Sequence, residues 1–379
     1  METFKMATKI YSGNQAIHAL KDFDFQQVLV ICDPFMVVSG MVKKVTTILT
    51  ENEIAFQLFS EIVPDPTIEV VTKGVAYAAG FQPDAILALG GGSALDTAKA
   101  VRQIYQQVEL EKKIQLICVP TTSGTGSEVT SFAVISDPSV NGKYALVDER
   151  MIPEIAILDP AFTLTVPSGV TADTGIDVLT HTLEAYVSTD ATDFTDACAE
   201  KAMRIIWQDL DKVVADGENK ELREKIHNAS CLAGMAFSEA SLGICHSLAH
   251  ALGGRFHIPH GRANAILLPH VISFNAGIEG DFASPALTKY AEAANLLGLR
   301  SMTDRTTVSL LIAGIQKLTR KFEVPKYVTE LEIDEGEFLA AIPEMAEAAL
   351  KDKCTLTNPR KVTREDFAGI SSRICRGGH

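Results

Sequence analysis

Residues 84–100 read DAILALGGGSALDTAKA: an apolar run, three consecutive glycines, then a stretch with helical spacing. That order leaves few folding options. A short, unbroken apolar run is a strand buried on both faces, and such strands belong to parallel sheets covered on both sides. The glycines then turn the chain into a helix that lies back on the sheet. The same alternation recurs on either side. QVLVICD (27–33), AFQLFSEI (55–62) and IQLICVPTT (114–122) read as strands, and 39–52, 67–80 and 93–107 as helices. The first half is therefore expected to be a parallel sheet with helices on both faces. Ligands of such sheets bind beyond the carboxyl ends of the strands.

From about Thr174 the pattern changes. Helical periodicity covers 175–187, 193–214, 221–237 and 284–297, and strand-like alternation nearly vanishes. TVPSGVTADTG (165–175), with its Pro, Gly, Ser and Thr, reads as the junction. The fold class expected is α/β plus all-α. The domains expected are 1–174, with the sheet, and 175–379, all helical. A chain of 379 residues suits two domains.

Composition excludes several classes of function. A net charge of −14 argues against nucleic acid, which needs clustered Lys and Arg. The seven cysteines are irregularly spaced without a CxxC pair, so no disulfide framework is expected and a reducing compartment is. The N-terminus has no apolar signal core, and no run approaches the ~20 apolar residues of a span. These features predict a soluble cytoplasmic protein with no membrane partner.

Two loops of the first half carry nucleotide chemistry. Gly90–Gly92 sit between strand and helix, where backbone N–H groups and the helix dipole suit a phosphate. The run is not the dinucleotide fingerprint, because Leu95 stands where a third glycine should be. PTTSGTGSEVTS (120–131) follows the next strand and is rich in hydroxyls suited to ribose, amide or phosphate contacts. Asp33 ends the first strand. It is read equally as a ribose-binding carboxylate that disfavours a 2′-phosphate, or as a turn residue before Pro34.

Metal chemistry is concentrated in the second half. GICHSLAHALGGRFHIPHG (243–261) holds four of the nine histidines. His246 and His250 are four apart, and His257 and His260 follow near Pro259. Upstream, Asp177 and His181 are also four apart, hence on one face of a helix. Such a pair is more often a helix-surface pair than a chelate. One Asp with two or three His would make a nitrogen/oxygen site without thiolate, suited to Fe(II), Mn(II) or catalytic Zn(II).

Taken together, GGGSALDTAKA, PTTSGTGSEVTSFAVISD, TGIDVLTHTLEAYVS, CHSLAHALGGRFHIPHGRANAILLPHVISFNAG and the late TLTNPR resemble the iron-containing (group III) alcohol dehydrogenases over essentially the whole chain. NASCLAGMAFSEASLG and ATDFTDACAEKA look most like the branch of 1-propanol dehydrogenases in propanediol-utilisation microcompartments. The resemblance implies a dehydroquinate synthase-like fold with an N-terminal dinucleotide-binding and a C-terminal metal-binding domain. It implies NAD and Fe(II), with Zn(II) as the other candidate ion. Asp177, His181, His246 and His260 would ligate the ion, and His250 would transfer protons. Asp33 would meet the adenine ribose, and Gly91, Gly92 and Ser93 the pyrophosphate, with Thr121, Thr122 and Thr125 nearby. Lys143 would meet the nicotinamide ribose. Asp65, in PDPT where the family often has Asn, occupies a cofactor-contact position.

The reaction implied is hydride exchange between NAD(H) and a short primary alcohol or aldehyde, with 1-propanol and propanal favoured. 1,3-Propanediol, ethanol and lactaldehyde are alternatives within the family. A nucleotide-binding or microcompartment-associated protein without activity is the alternative of another class. A homodimer or higher homo-oligomer is expected.

Overall fold

The computed structural model describes residues 3–109, 112–137, 142–278 and 284–375. They form two compact units. One comprises Lys5–Pro167 and Asp216–Met235, and the remaining described residues form the other. The sequence expectation drew a single boundary at 174/175. The units instead divide at Pro167/Ser168, where the first long helix of the second half begins, and residues 216–235 group with the sheet.

The first unit is built on a six-stranded parallel sheet in the order β1-β8-β5-β4-β2-β3. Its strands are β1 (Lys9–Ser12), β2 (Gln27–Cys32), β3 (Ala55–Phe59), β4 (Ala85–Gly90), β5 (Gln115–Pro120) and β8 (Ile155–Leu158). β6 (Phe132–Asp137) and β7 (Gly142–Val147) make a separate antiparallel pair. Its helices are α1 (Pro34–Val38), α2 (Lys43–Glu51), α3 (Ile68–Phe81) and α4 (Gly92–Val108). The 39–52 segment read as one helix is divided, because Gly40 adopts a left-handed backbone (φ 75°) between α1 and α2.

Strand alternation sorts the two faces. Val28, Val30 and Cys32 of β2 pack with Val45, Ile48 and Leu49 of α2, whereas Leu29 and Ile31 pack with residues of α3 and α4. The central strands β2, β4 and β5 are therefore covered on both sides, which is why each reads as a continuous apolar run, whereas the edge strand β3 alternates exposed and part-buried residues. β2 pairs with β3 on one side and β4 on the other. The crevice between the carboxyl ends of β2 and β4 is thus the point where strand order reverses. Asp33 and Gly90–Gly92 emerge there.

The helix after the glycines also holds the hydroxyl-rich loop. Lys99 of α4 is fully buried and donates to Thr130 O (2.9 Å), Thr130 Oγ1 (3.1 Å) and Phe132 O (2.7 Å). Asp96, one turn earlier, accepts from Ser127 Oγ (2.7 Å) and Val134 N (2.9 Å). Within the loop Gly126 is left-handed (φ 60°), and a Cβ there would stand 2.7 Å from Gly234 Cα.

The second unit is helical. It contains α5 (Ser168–Val187), α6 (Asp193–Ala215), the end of α7 (Lys220–Ala240), α8 (Ile244–Phe256), α9 (His260–Asn275), α10 (Ala286–Leu296), α11 (Asp304–Lys321), α12 (Glu335–Lys351) and α13 (Arg364–Cys375). α5 is its axis. It packs on α6 and α9, and every residue from Gly175 to Val187 is buried. A helix buried all round must satisfy its polar side chains internally. Thr180 and Thr182 do so locally, by donating to Ile176 O and Leu179 O. Asp177, His181 and Glu184 cannot. Among the described residues no helix is long and apolar enough to cross a membrane.

Gly126→Ala is expected to cost about 2 kcal/mol or more, from the left-handed backbone and overpacking against Gly234. Urea unfolding of the variant beside wild type measures it.

Candidate metal centre

Asp177, His181 and Glu184 lie on one stripe of α5, at i, i+4 and i+7. α8 brings His246 to that stripe from its first turn, and α9 brings His260, its first residue. Asp177 Oδ1 lies 3.9 Å from His181 Nε2, and 3.6 Å from each of His246 Nε2 and His260 Nε2. One donor atom from each of the four lies within 4.8 Å of all the others. Ligand atoms about 2.1 Å from a tetrahedral ion stand about 3.4 Å apart, close to these separations. The structure thus brings together the four residues read as ligands.

Glu184 holds this cluster in place. Its Oε2 is 2.6 Å from His246 Nδ1, and its Oε1 accepts the N–H of Cys245 at 2.7 Å. One carboxylate therefore caps the open end of α8 and turns the imidazole so that Nε2 faces Asp177. A Cβ on Gly243, the residue before α8, would lie 2.7 Å from Glu184 Oε1, so only glycine admits this contact. Asn358, from TLTNPR, accepts from Ile244 N (3.4 Å) and exchanges hydrogen bonds with Asn275. That motif secures the start of α8. α9 is placed just as closely: a Cβ on Gly261 would lie 2.3 Å from Asp173 O at the head of α5.

The electrostatics suit a cation. Burial raises the Asp177 carboxyl, but His181, His260 and His246 outweigh it and hold the group well below the usual carboxylate range. Burial pushes His181 down to about 4 and His260 down to about 3, keeping both imidazoles neutral and their lone pairs available. Burial pulls His246 down as well, but hydrogen bonds and charge from Asp177 and Glu184 raise it to about 9. Asn264, one turn after His260, donates its amide to Asp177 Oδ1 (2.7 Å), with Nδ2 3.3 and 3.2 Å from His246 Nε2 and His260 Nε2. Its own Oδ1 is buried without a hydrogen-bond partner. One amide shared among a carboxylate oxygen and two ring nitrogens, beside an unsatisfied buried oxygen, marks a cluster whose polar groups lack partners of their own, and an ion bound there would displace the His246 proton from Nε2. Two carboxylates, Asp177 and Glu184, balance the charge of a divalent ion.

His250 lies one turn beyond His246, with ring centroids 5.3 Å from His260. Its Nδ1 donates to Asp352 Oδ2 at 2.8 Å. Burial raises Asp352, but the hydrogen bond and charge of His250 outweigh it and bring it to about 2. An ionised Asp352 fixes the ring proton on Nδ1 and leaves Nε2 free to accept. His257 stands apart in role: it ends α8 in a left-handed conformation (φ 55°).

In the sheet unit, Asp33 Oδ2 accepts the N–H of Gly91 at 2.9 Å. A Cβ on Gly90 would stand 2.1 Å from that oxygen. Asp33 thus braces the glycine turn as well as ending β2. Gly92 opens α4, with Ser93 next. Thr125 crowds Gly92, where a Cβ would meet its Cγ2 at 2.8 Å, and Thr122 Oγ1 would be 3.5 Å from a Cβ on Gly91. Thr121 N donates to Gly90 O (2.9 Å). Asp33, Gly91, Gly92, Thr121, Thr122 and Thr125 therefore meet at one strand-end crevice. Asp65 lies between β3 and α3 with a left-handed backbone (φ 53°). Lys143 lies on β7 opposite Ser136, and its side chain is outside the described residues.

Sequence reasoning missed Glu184, Asn264 and Asp352. The first two carry a signal: Glu184 is seven residues after Asp177 and Asn264 four after His260, on the faces already marked.

An iron-containing alcohol dehydrogenase family model matches residues 7–160, and the model of the Fe-containing alcohol dehydrogenase C-terminal region matches 171–375. The chain is 45% identical over 361 residues to a 1-propanol dehydrogenase of Citrobacter freundii, covering 95% of this chain and 96% of the relative. It is 44% identical to that of Salmonella typhimurium, covering 96% and 97%. A crystal structure of a 1,3-propanediol oxidoreductase superposes with a TM-score of 0.89 at 33% identity, covering 99% and 100%.

Glu184→Gln keeps the shape but removes the charge behind His246. It is expected to weaken metal binding by about 10–100-fold, read by competition with a chelator.

Proposed function

The chain belongs to the iron-containing alcohol dehydrogenase family, and from that premise we propose that it interconverts a short primary alcohol and its aldehyde by hydride exchange with NAD(H), with 1-propanol and propanal the favoured pair. The observation that carries the reading is the buried convergence of Asp177, His181, His246 and His260. These four hold the divalent ion, Fe(II) in the reading adopted here, with Zn(II) as the other candidate. When bound, such an ion supplies Lewis acidity toward the substrate oxygen and lowers the pKa of an alcohol toward neutrality.

The chain's own residues do the rest. Glu184 orients His246, and Gly261 seats His260. His250 takes up the alcohol proton at Nε2 and passes it to solvent, while Asp352 holds its Nδ1–H. For aldehyde reduction the same atom returns the proton. Gly91, Gly92 and Ser93 receive the pyrophosphate at the start of α4, flanked by Thr121, Thr122 and Thr125. Asp33 meets the adenine ribose through the oxygen that Gly91 leaves free, which favours NAD over NADP. Asp65 and Lys143 are assigned to further cofactor contacts. The roles proposed are dinucleotide binding for the sheet unit and metal binding for the helical unit.

The likeness to 1-propanol dehydrogenases supports association with a propanediol-utilisation microcompartment, and the oligomeric state proposed is a homodimer or higher homo-oligomer. Size-exclusion chromatography with light scattering tests the oligomer.

His246→Ala is expected to lose metal and turnover while still binding NADH, measured by elemental analysis, an alcohol and aldehyde panel with NADH and NADPH, and NADH fluorescence. Full turnover in a preparation stripped of metal would refute the reading.

A further inference from the structure

A second group of metal-ligating side chains stands outside the Asp177 cluster. Asp352 ends α12 and starts the short 3-10 turn Lys353–Thr357. Its Oδ1 accepts the N–H of Cys354 at 2.8 Å, and its Oδ2 accepts from His250 Nδ1 at 2.8 Å. One donor atom from each of His250, Asp352 and Cys354 lies within 4.8 Å of the other two. The group opens to solvent on its His250 side: the side chains of His250 and Asp352 are 42% and 21% exposed, while Cys354 is half-buried and its thiol is pushed up by burial and by Asp352, so the ion has to displace its proton.

This donor set differs in kind from the first. The Asp177 cluster offers nitrogen and oxygen only, whereas the second offers nitrogen, oxygen and sulfur. A thiolate shifts preference toward softer ions, and among the common divalent metals the mixed set suits Zn²⁺ rather than Fe(II) or Mg²⁺. Three protein ligands at a solvent-facing position leave the fourth tetrahedral place for water. The hydrogen-bonded pair at 2.8 Å has to open to about 3.4 Å to admit an ion, a small adjustment for side chains in partial contact with water.

We propose that His250, Asp352 and Cys354 form a second divalent-cation site, selective for zinc, and that an ion there inhibits the enzyme by engaging His250. Binding is balanced without redox. The Cys354 thiol gives one proton to solvent as its sulfur takes up the ion, Asp352 contributes its carboxylate, and the His250 ring keeps its proton on the nitrogen the ion leaves free. Two dications on either side of the stacked His250 and His260 rings repel one another, so the second binds more weakly than the first. The inhibition rests on the proton-transfer role given to His250 above; binding of the ion does not.

Co²⁺ is the probe, because cobalt–thiolate coordination produces an intense near-ultraviolet charge-transfer band and nitrogen/oxygen coordination does not. The full-length protein is titrated with Co²⁺ after removal of its metal. The first equivalent should develop only weak visible bands. The second should add the near-ultraviolet band, which Zn²⁺ displaces and which Cys354→Ser and Cys354→Ala abolish. In the iron-loaded enzyme Zn²⁺ should inhibit aldehyde reduction with iron content unchanged, and Cys354→Ser should require at least about tenfold more Zn²⁺. No near-ultraviolet band at excess Co²⁺, a band that persists in both Cys354 variants, or inhibition that tracks loss of iron would each overturn the proposal. Absence of dehydrogenase activity in the iron-loaded wild type would instead sink the functional reading and leave the spectral result standing.

Discussion

The helical unit depends on what happens to one carboxylate. Glu184 sits in a helix with no solvent-facing side, and a buried charge without partners is among the costliest features a core can carry. Its two oxygens are used separately, one on the Cys245 N–H in the first turn of α8 and one on the His246 ring. The contact that makes Glu184 tolerable inside the protein is also what sets the angle at which α8 leaves Gly243 and the direction in which His246 points. Packing and ligand geometry are one arrangement here. A change that relaxes either relaxes both.

The sheet unit solves a comparable problem with backbone. Its crevice lies where the strand order reverses between β2 and β4, and side chains have been removed there so that main-chain N–H groups can be reached. Asp33 spends one oxygen on Gly91, which makes it a brace for the turn as much as a ribose contact. Lys99 and Asp96 anchor the neighbouring hydroxyl-rich loop from behind. Burial lowers the Lys99 pKa and raises that of Asp96, and each offsets part of the shift in the other. Rigid loops of this kind are expected where a ligand must meet backbone at close range.

Much of this was legible in the sequence, for identifiable reasons. Strands β2, β4 and β5 announce themselves because strands covered on both faces are continuous apolar runs. β1 and β8, with KIYS and IAIL, are four residues each and too short to show a period. Asp177, His181, His246 and His260 stood out through their spacing and chemistry. Glu184 did not, because a lone glutamate in a helix is ordinarily a solvated group, and only burial all round α5 shows that it is not. Asp352 pairs with His250 across 102 positions of sequence, a distance at which no local pattern operates. The unit boundary was displaced because Ser168–Thr174, polar and glycine-bearing, reads as loop yet forms the opening turns of α5.

Gly243 and Gly261 have a consequence for anyone reshaping this protein. Both are positions where a single added methyl group would collide, with the Glu184 carboxylate in one case and the Asp173 main chain in the other. A library that varies either position disturbs the scaffold of the metal cluster, through the Glu184 carboxylate at Gly243 and through the main chain of α5 at Gly261. Diversity is better spent at positions such as Gly254 of α8, where an added Cβ meets nothing within 4 Å.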